Sequence, residues 1–454
     1  MKIVLLCILL ALPAGVSFAA EDSELDALKK QMLQMQQQMQ QMQDKIQQLE
    51  AQKTAPLPAA STPALVPAVA WSPSQPITVA RSGNAYMNLS LDAMGNFGWS
   101  TAENGEIRTG HHAPLERGFS LRSVELALDG AVDPYFKGAT MLALALGPDG
   151  ETVLELEEAY AQTTSLPWNL QVKAGQFYAA FGRQNAQHAH EWAFVDQPLV
   201  LNRLFGGDGL RNPGAQLSWL TPTPFYSEVM LGIFNGIGET AASFRNEESG
   251  DIHGGEPVDR RLRGPQDLLF VPRYACSFEL NDTQTLVLGA SGAFGPNNSG
   301  QHASTQIYGV DTYWKWRPVN AQQGFPFVSW QTEAVLRRYG AAARTTPDDP
   351  PGSAIALPGE TLTDWGFYSQ VLYGFRLGWV AGLRGEFVSG NSGAFDAESR
   401  LDRIRVSPNL TWYPTEYSKL RLQYNYDHRE VFGNDHSVWL QLEFMLGAHA
   451  AHKF

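Results

Sequence analysis

Residues 181–212 gather the side chains best suited to chemistry: Arg183, His188, His190, Glu191, Asp196, Arg203 and Asp208, set among Phe181, Trp192, Phe194, Leu199, Val200, Leu204 and Phe205. Two histidines one residue apart, with a carboxylate adjacent, could share a zinc or copper ion, since imidazole suits both. The local sequence fixes no third ligand, so His188 and His190 are weak metal candidates and no cofactor is expected. His111-His112 and His449/His452 are further pairs of the same kind. The charged residues suggest a second chemistry, the electrostatic steering of a solute through a narrow passage. Catalysis is not indicated. An enzyme needs a nucleophile, an orienting group and an oxyanion site together, and no G-x-S-x-G elbow, P-loop or HExxH occurs.

Apolar residues such as Trp192, Phe194, Leu199, Val200 and Leu204 would make little sense in water, so this stretch is expected to pack on an inner wall. The elements that must hold it are strands. Sixteen segments alternate in polarity, near 84–99, 118–130, 135–146, 152–164, 169–180, 213–220, 225–235, 268–280, 283–294, 304–316, 326–339, 362–374, 377–389, 401–413, 418–429 and 435–454. In 401–413, Ile404, Val406, Leu410 and Trp412 oppose Arg403, Arg405, Ser407, Asn409 and Thr411. In the last segment Val438, Leu440, Leu442, Phe444 and Leu446 oppose Trp439, Gln441 and Glu443. Successive side chains of a strand point to opposite faces, so each segment has one greasy and one wet face.

Short connections with turn chemistry (Asp133-Pro134, Leu166-Pro167-Trp168, Thr221 to Pro224, Asn281-Asp282, Tyr413-Pro414) interleave with long ones at 100–117, 181–212, 236–267 and 340–361. Short periplasmic turns and long external loops are the habit of outer-membrane barrels. The expected fold is therefore all-β, a 16-stranded antiparallel transmembrane barrel preceded by a short coiled-coil helix. A soluble sandwich also alternates, but would rarely line up so many strands of similar length.

The barrel is expected over 84–454, behind three other segments. Lys2, the apolar run Ile3–Leu12 and the small-residue site around Ser17–Ala20 predict an export signal over 1–20. Within 21–52, Leu25, Leu28, Met32, Met35, Met39, Met42, Ile46 and Leu49 recur at spacings of three and four, the a/d seam of a self-associating coiled coil. Such a helix would reach about 40 Å into the periplasm. Six prolines between Pro56 and Pro76 mark 53–83 as a semi-extended linker. After the signal, Cys276 is the sole cysteine, which excludes an intramolecular disulfide. The net charge of −13 argues against nucleic acid as a partner.

Alternation places Lys173, Arg273, Arg337, Arg384, Arg403, Arg405, Lys419 and Arg421 on the inner wall, with Glu125, Asp129, Glu155, Glu333, Glu386 and Asp427. Several of the bases fall on strands thirteen to fifteen. If Glu191, Asp196 and Asp208 face them, a transverse field crosses the lumen and orients dipolar solutes.

The stretches "VELALDGAVDPYFKG", "LEEAYA" and "LQVKAGQFYAAFGR" make the barrel resemble the phosphate-selective porin group, and the preceding heptads resemble trimeric porins with a periplasmic coiled coil. The resemblance implies a homotrimer in the lipid of a bacterial outer membrane, with the coiled coil in the periplasm. It also implies passive diffusion of small hydrophilic or charged solutes through a lumen narrowed by the third loop. The expected constriction and lumen residues are Arg183, Glu191, Asp196, Arg203, Asp208, Lys173, Arg337, Arg384, Arg403, Arg405 and Arg421. No Arg/Lys ladder maps residue by residue and the loop lacks lysine, so phosphate is not carried over as the solute. "HAHEWAFVDQPLV" and "RLFGGDGL" look like barrels labelled TonB-dependent receptors. Such transporters need a plug domain and about 22 strands, for which residues 21–83 are too few. Two rival readings are a structural anchor tethered through the coiled coil and a zinc-linked channel.

Overall fold

The structure is a computed structural model and describes residues 76–447 apart from 104–115, 147–149, 247–249, 255–256, 348–349 and 396. The expected signal, the Leu25–Leu49 seam and most of the linker lie outside the described residues, as do His111, His112, His449, His452 and Phe454.

Sixteen long strands are present: β1 Ala85–Ser100, β2 Gly118–Ala131, β3 Phe136–Leu146, β4 Thr152–Thr163, β5 Leu170–Tyr178, β6 Arg211–Leu220, β7 Tyr226–Phe234, β8 Leu269–Asn281, β9 Gln284–Pro296, β10 Ser304–Trp316, β11 Phe327–Ala341, β12 Glu360–Arg376, β13 Trp379–Gly390, β14 Arg403–Thr415, β15 Ser418–Arg429 and β16 Gly433–Leu446. Each pairs antiparallel with its chain neighbours, and β16 returns to β1 along a register from Ser437↔Ser100 to Leu446↔Leu91. The barrel is closed, and with no open edge the ladder satisfies the backbone groups that lipid cannot. Ile77–Ser82, expected at the end of the linker, is instead a strand that folds back on β1. Its β-branched Ile77, Thr78 and Val79 favour extension, and Gly83 at φ +60° makes the turn.

Alternation decides which side chains meet lipid. Along β15, Leu422 and Tyr424 are exposed while Lys419, Arg421, Gln423, Asn425 and Asp427 are buried. At the turn-bearing end Tyr86, Phe136, Trp219, Tyr226, Trp330 and Tyr373 stand exposed, an aromatic girdle. The turns follow from their residues. Asp133 Oδ1 accepts hydrogen bonds from the backbone N–H of Tyr135 and Phe136 at 2.7 and 2.8 Å, the aspartate turn that lets β2 reverse into β3. Tyr413-Pro414, expected as a turn, lies within β14 at a register shift between Trp412 and Thr415, where the missing proline N–H breaks no regular pairing. The turn comes later, at Glu416-Tyr417.

The interior is not uniformly polar, contrary to simple parity. Phe177, Phe234, Leu269, Val271, Ile307, Val335, Tyr368 and Val388 form an apolar core inside the barrel. Against it pack Phe181 and helix α1, Leu199–Phe205. Helix α1 lies against β11, β12 and β13. Full burial of its Leu201, Leu204 and Phe205 stabilises this docking by about 1.5–3 kcal/mol each.

Leu422 lies near the middle of β15 on the lipid face. We expect Leu422→Arg to lower the free energy of insertion into vesicles by about 2–4 kcal/mol in urea titrations. An unchanged titration would remove Leu422 from the lipid face.

Candidate functional site

The site is the segment between β5 and β6, whose residues bond to side chains of several different strands. Asn185 clamps its two ends: the side-chain amide donates to the carbonyls of Ala179 and Leu210 at 2.9 and 3.0 Å, and its oxygen accepts from the Leu210 N–H at 2.8 Å. Gly182 sits at φ +60°, and a Cβ there would come within 2.1 Å of Glu333 Oε2. Only glycine allows both the turn and that approach. The N–H groups of Gly182, Arg183 and Gln184 then donate to Ser291 of β9 and Glu333 of β11 at 3.0, 3.1 and 2.8 Å.

From there the chain passes β4 and β2. His188 Nδ1 lies 3.1 Å from Glu157 Oε2 and its Nε2 3.1 Å from Glu158 Oε2. His190 Nδ1 lies 2.9 Å from Glu125 Oε2. Glu191 turns back on its own loop, accepting from the His188 N–H at 3.1 Å. Lys419 of β15 donates to the His190 carbonyl, and the Arg122 guanidinium lies 4.9 Å from the Trp192 ring while donating to the Val195 carbonyl. Burial opposes a charge on His188, yet the Glu157 and Glu158 carboxylates hold its pKa well above the ordinary imidazole value.

Asp196 is the hub of the far side. Its carboxylate pairs with Arg384 of β13 at 2.5 Å and Arg405 of β14 at 2.8 Å, and accepts from Gln423 and Asn425 of β15 at 3.0 and 3.2 Å. Burial would raise its pKa, but the two guanidinium groups outweigh burial and hold it below the carboxylate norm. Phe194 lies under Arg384 at 4.5 Å. The Leu199 N–H donates to Glu386 at 2.6 Å and opens α1.

The expected lumen residues thus divide. Arg384 and Arg405 meet on Asp196, while Arg403 joins through Asp427, which it shares with Arg405. Arg337 pairs with Asp364 at 2.6 Å, and Arg421 with Gln441 and Thr411 at 2.9 and 3.1 Å. Arg203 donates to the carbonyls of Arg400 and Leu401, and Arg183 stacks on Tyr313 at 4.0 Å. Arg273 pairs with Asp311, Glu155 with Arg211, and Asn88 donates to Asp129. Lys173 is 3.3 Å from Glu158. Asp208 lines a pocket with Glu157 and Tyr178, away from β13–β15. Asp196 meets Arg384 and Arg405 in direct contact, so its field is spent locally.

Arg122, Glu157 and Glu158 escape strict alternation. The β1–β2 register shifts between Met94 and Gly95, opposite Arg122, and the β3–β4 register shifts between Met141 and Leu142, opposite Glu157. Each bulge turns two consecutive side chains inward, Arg122 with Ser123 and Glu157 with Glu158, all buried.

Cavities lie on either side of the segment. At the turn-bearing end, one of about 820 Å³ is lined by Asp129, Lys137, Lys173, Arg183, Glu191 and Arg273 among others. Toward the opposite end, a smaller one of about 40 Å³ is lined by Ser100, Asp196, Asn202, Arg403, Arg429 and Asp435 among others.

No family model matches the chain. It is 32% identical over 381 residues to an uncharacterized protein of Aquifex aeolicus (strain VF5), covering 78% of this chain and 72% of that one. Among solved structures it is similar to the outer membrane channel DcaP of Acinetobacter baumannii, with a TM-score of 0.52 and 11% identity over 80% of this chain and 98% of that one. The anion-selective porin from Comamonas acidovorans gives a TM-score of 0.49 and 8% identity, over 80% of this chain and 100% of that one.

Removing Asp196 takes one carboxylate from each of two buried guanidinium groups, leaving Arg384 with Glu386 and Arg405 with Asp427. We expect Asp196→Ala to destabilise the barrel by about 1–3 kcal/mol, read as a lower urea midpoint, and to speed hydrogen exchange across 192–205. Unchanged exchange there would show that α1 alone holds the segment.

Proposed function

We propose that this chain, which belongs to one family with the Aquifex aeolicus protein and folds as a closed sixteen-stranded barrel, is an outer-membrane channel for passive diffusion of small hydrophilic or charged solutes. The observation that carries this reading is the segment 181–212, anchored to β9 and β11, to β2 and β4, and to β13–β15, with a cavity on each side. A loop held at those points narrows the path without filling the barrel, so a solute passing it must trade its water for fixed side chains. Lys173, Arg183, Glu191 and Arg273, on the larger cavity, are the charges such a solute would meet first from the turn-bearing side. Mixed signs there favour solutes that carry both charge and hydrogen-bonding groups over apolar ones.

The segments outside the described residues complete the reading: an export signal at 1–20 and a periplasmic coiled coil at 21–52 joining three copies. Deleting residues 21–55 should leave channels that conduct, but trimers that dissociate at lower temperature in detergent. An unchanged trimer melting point would remove the coiled coil from that role.

Planar-bilayer recording tests the channel itself. The full chain should conduct in steps, and replacing 186–207 by a short glycine-serine linker should raise the unit conductance several-fold. A folded barrel that never conducts, with or without the segment, would overturn the channel reading.

A further inference from the structure

The ion pairs around His188 bring together nitrogen and oxygen atoms of the kind that ligate metals. Glu125, Glu157 and His188 each offer one ligand atom, all three lie within 4.8 Å of one another, and all three residues are buried. His188 Nδ1 stands 3.1 Å from Glu157 Oε2 and 3.9 Å from Glu125 Oε2. A zinc ion with bonds of about 2.0–2.2 Å to nitrogen and oxygen holds its ligand atoms about 3–4 Å apart, the range of both carboxylate distances from His188 Nδ1. His190 Nδ1 lies beside this group, 2.9 Å from the same Glu125 oxygen. The other nitrogen of His188 faces Glu158 at 3.1 Å, and Glu158 is itself held by Lys173 and the Tyr178 N–H at 3.3 and 3.1 Å. A histidine that ligates a metal through one nitrogen characteristically gives the other to a carboxylate, which fixes ring and tautomer.

A second observation points to positive charge at this place. Asp92 of β1 is fully buried and lies directly opposite Glu125 in the strand register. Among the described residues neither of its carboxylate oxygens has a hydrogen-bond partner. A buried carboxylate without a hydrogen bond is costly, and one opposite Glu125 invites positive charge beyond His190 and Lys419 nearby.

We propose that Glu125, Glu157 and His188, with His190 and Asp92 beside them, form a site for a divalent transition metal of the zinc class. Mixed imidazole and carboxylate donors suit such an ion. Glu125 comes from β2, Glu157 from the β4 bulge and the histidines from the lumen segment, so the ion ties the segment to the wall. This role deepens the channel reading and rests on it: metal fixes the loop that narrows the lumen, and its removal loosens the constriction.

The test is zinc titration of the full refolded chain, stripped with chelator, in detergent micelles by calorimetry, with cobalt absorption spectra reporting the donor set. One zinc per chain is expected, with hydrogen exchange across 186–192 slowed by the metal. His188→Gln combined with Glu157→Gln should weaken binding at least ten-fold, with folding checked by gel mobility and circular dichroism. Absence of zinc binding by the wild-type chain would overturn the inference and leave a protonated His188 bridging Glu157 and Glu158. Binding that survives in the double variant would place the metal on other histidines and overturn it equally. If that variant fails to fold, the wild-type stoichiometry and the effect of Glu125→Gln on affinity and cobalt spectrum decide; no effect of Glu125→Gln would overturn the site. Calorimetry does not depend on conduction, so a barrel that binds zinc but passes no current would remove the channel reading and leave the site.

Discussion

Hydrocarbon offers backbone N–H and C=O groups no water, and each one left unpaired costs several kcal/mol. The ten-pair register between β16 and β1 answers that constraint by closing the sheet on itself. Closure then dictates the rest. Every second side chain must face lipid and be apolar, so the chain's charge is forced to the inner wall. There it meets either water or other protein groups. Arg337, Arg384, Arg405 and Arg421 are all buried, which means that the inner wall meets protein as much as water.

Arg337 meets Asp364 and Ser243, and Arg421 meets Thr411 and Gln441, while Arg384 and Arg405 meet the segment between β5 and β6. Its two kinds of attachment do different work. Helix α1 and Phe181 join the apolar core inside the barrel, and that burial favours docking without fixing position. The ion pairs of Asp196 and the His188 and His190 contacts supply little net free energy after desolvation, but they are directional. They set where the segment lies. The stacking of Arg122 on Trp192 and of Arg384 on Phe194 couples the two kinds, since each guanidinium touches both an aromatic face and a backbone carbonyl or carboxylate of the segment.

Bulges do much of the aiming. A regular β4 would turn Glu157 inward and Glu158 outward. The bulge opposite Met141 and Leu142 keeps both inside, and the two nitrogens of His188 find one carboxylate each. The same device on β2 brings Arg122 beside Ser123. The cost is one unpaired residue in a ladder, tolerated where the strand bends.

The sequence by itself determined the barrel, its sixteen strands and the inward face of Arg384, Arg405, Arg421 and Glu386, because a period of two and the polarity of lipid are local rules that residues obey one strand at a time. It also marked 181–212 as a loop that cannot live in water, from its Trp and Leu content. Pairing was another matter. That Asp196 would meet Arg384 and Arg405, that Glu125 and Glu157 would close on His188, and that part of the interior would be an apolar core around α1 depends on residues more than a hundred positions apart, or brought together across strands. Two register shifts reverse parity where no residue type announces it. Only the tertiary structure decided those, since closure of the sheet fixes which distant side chains share the lumen.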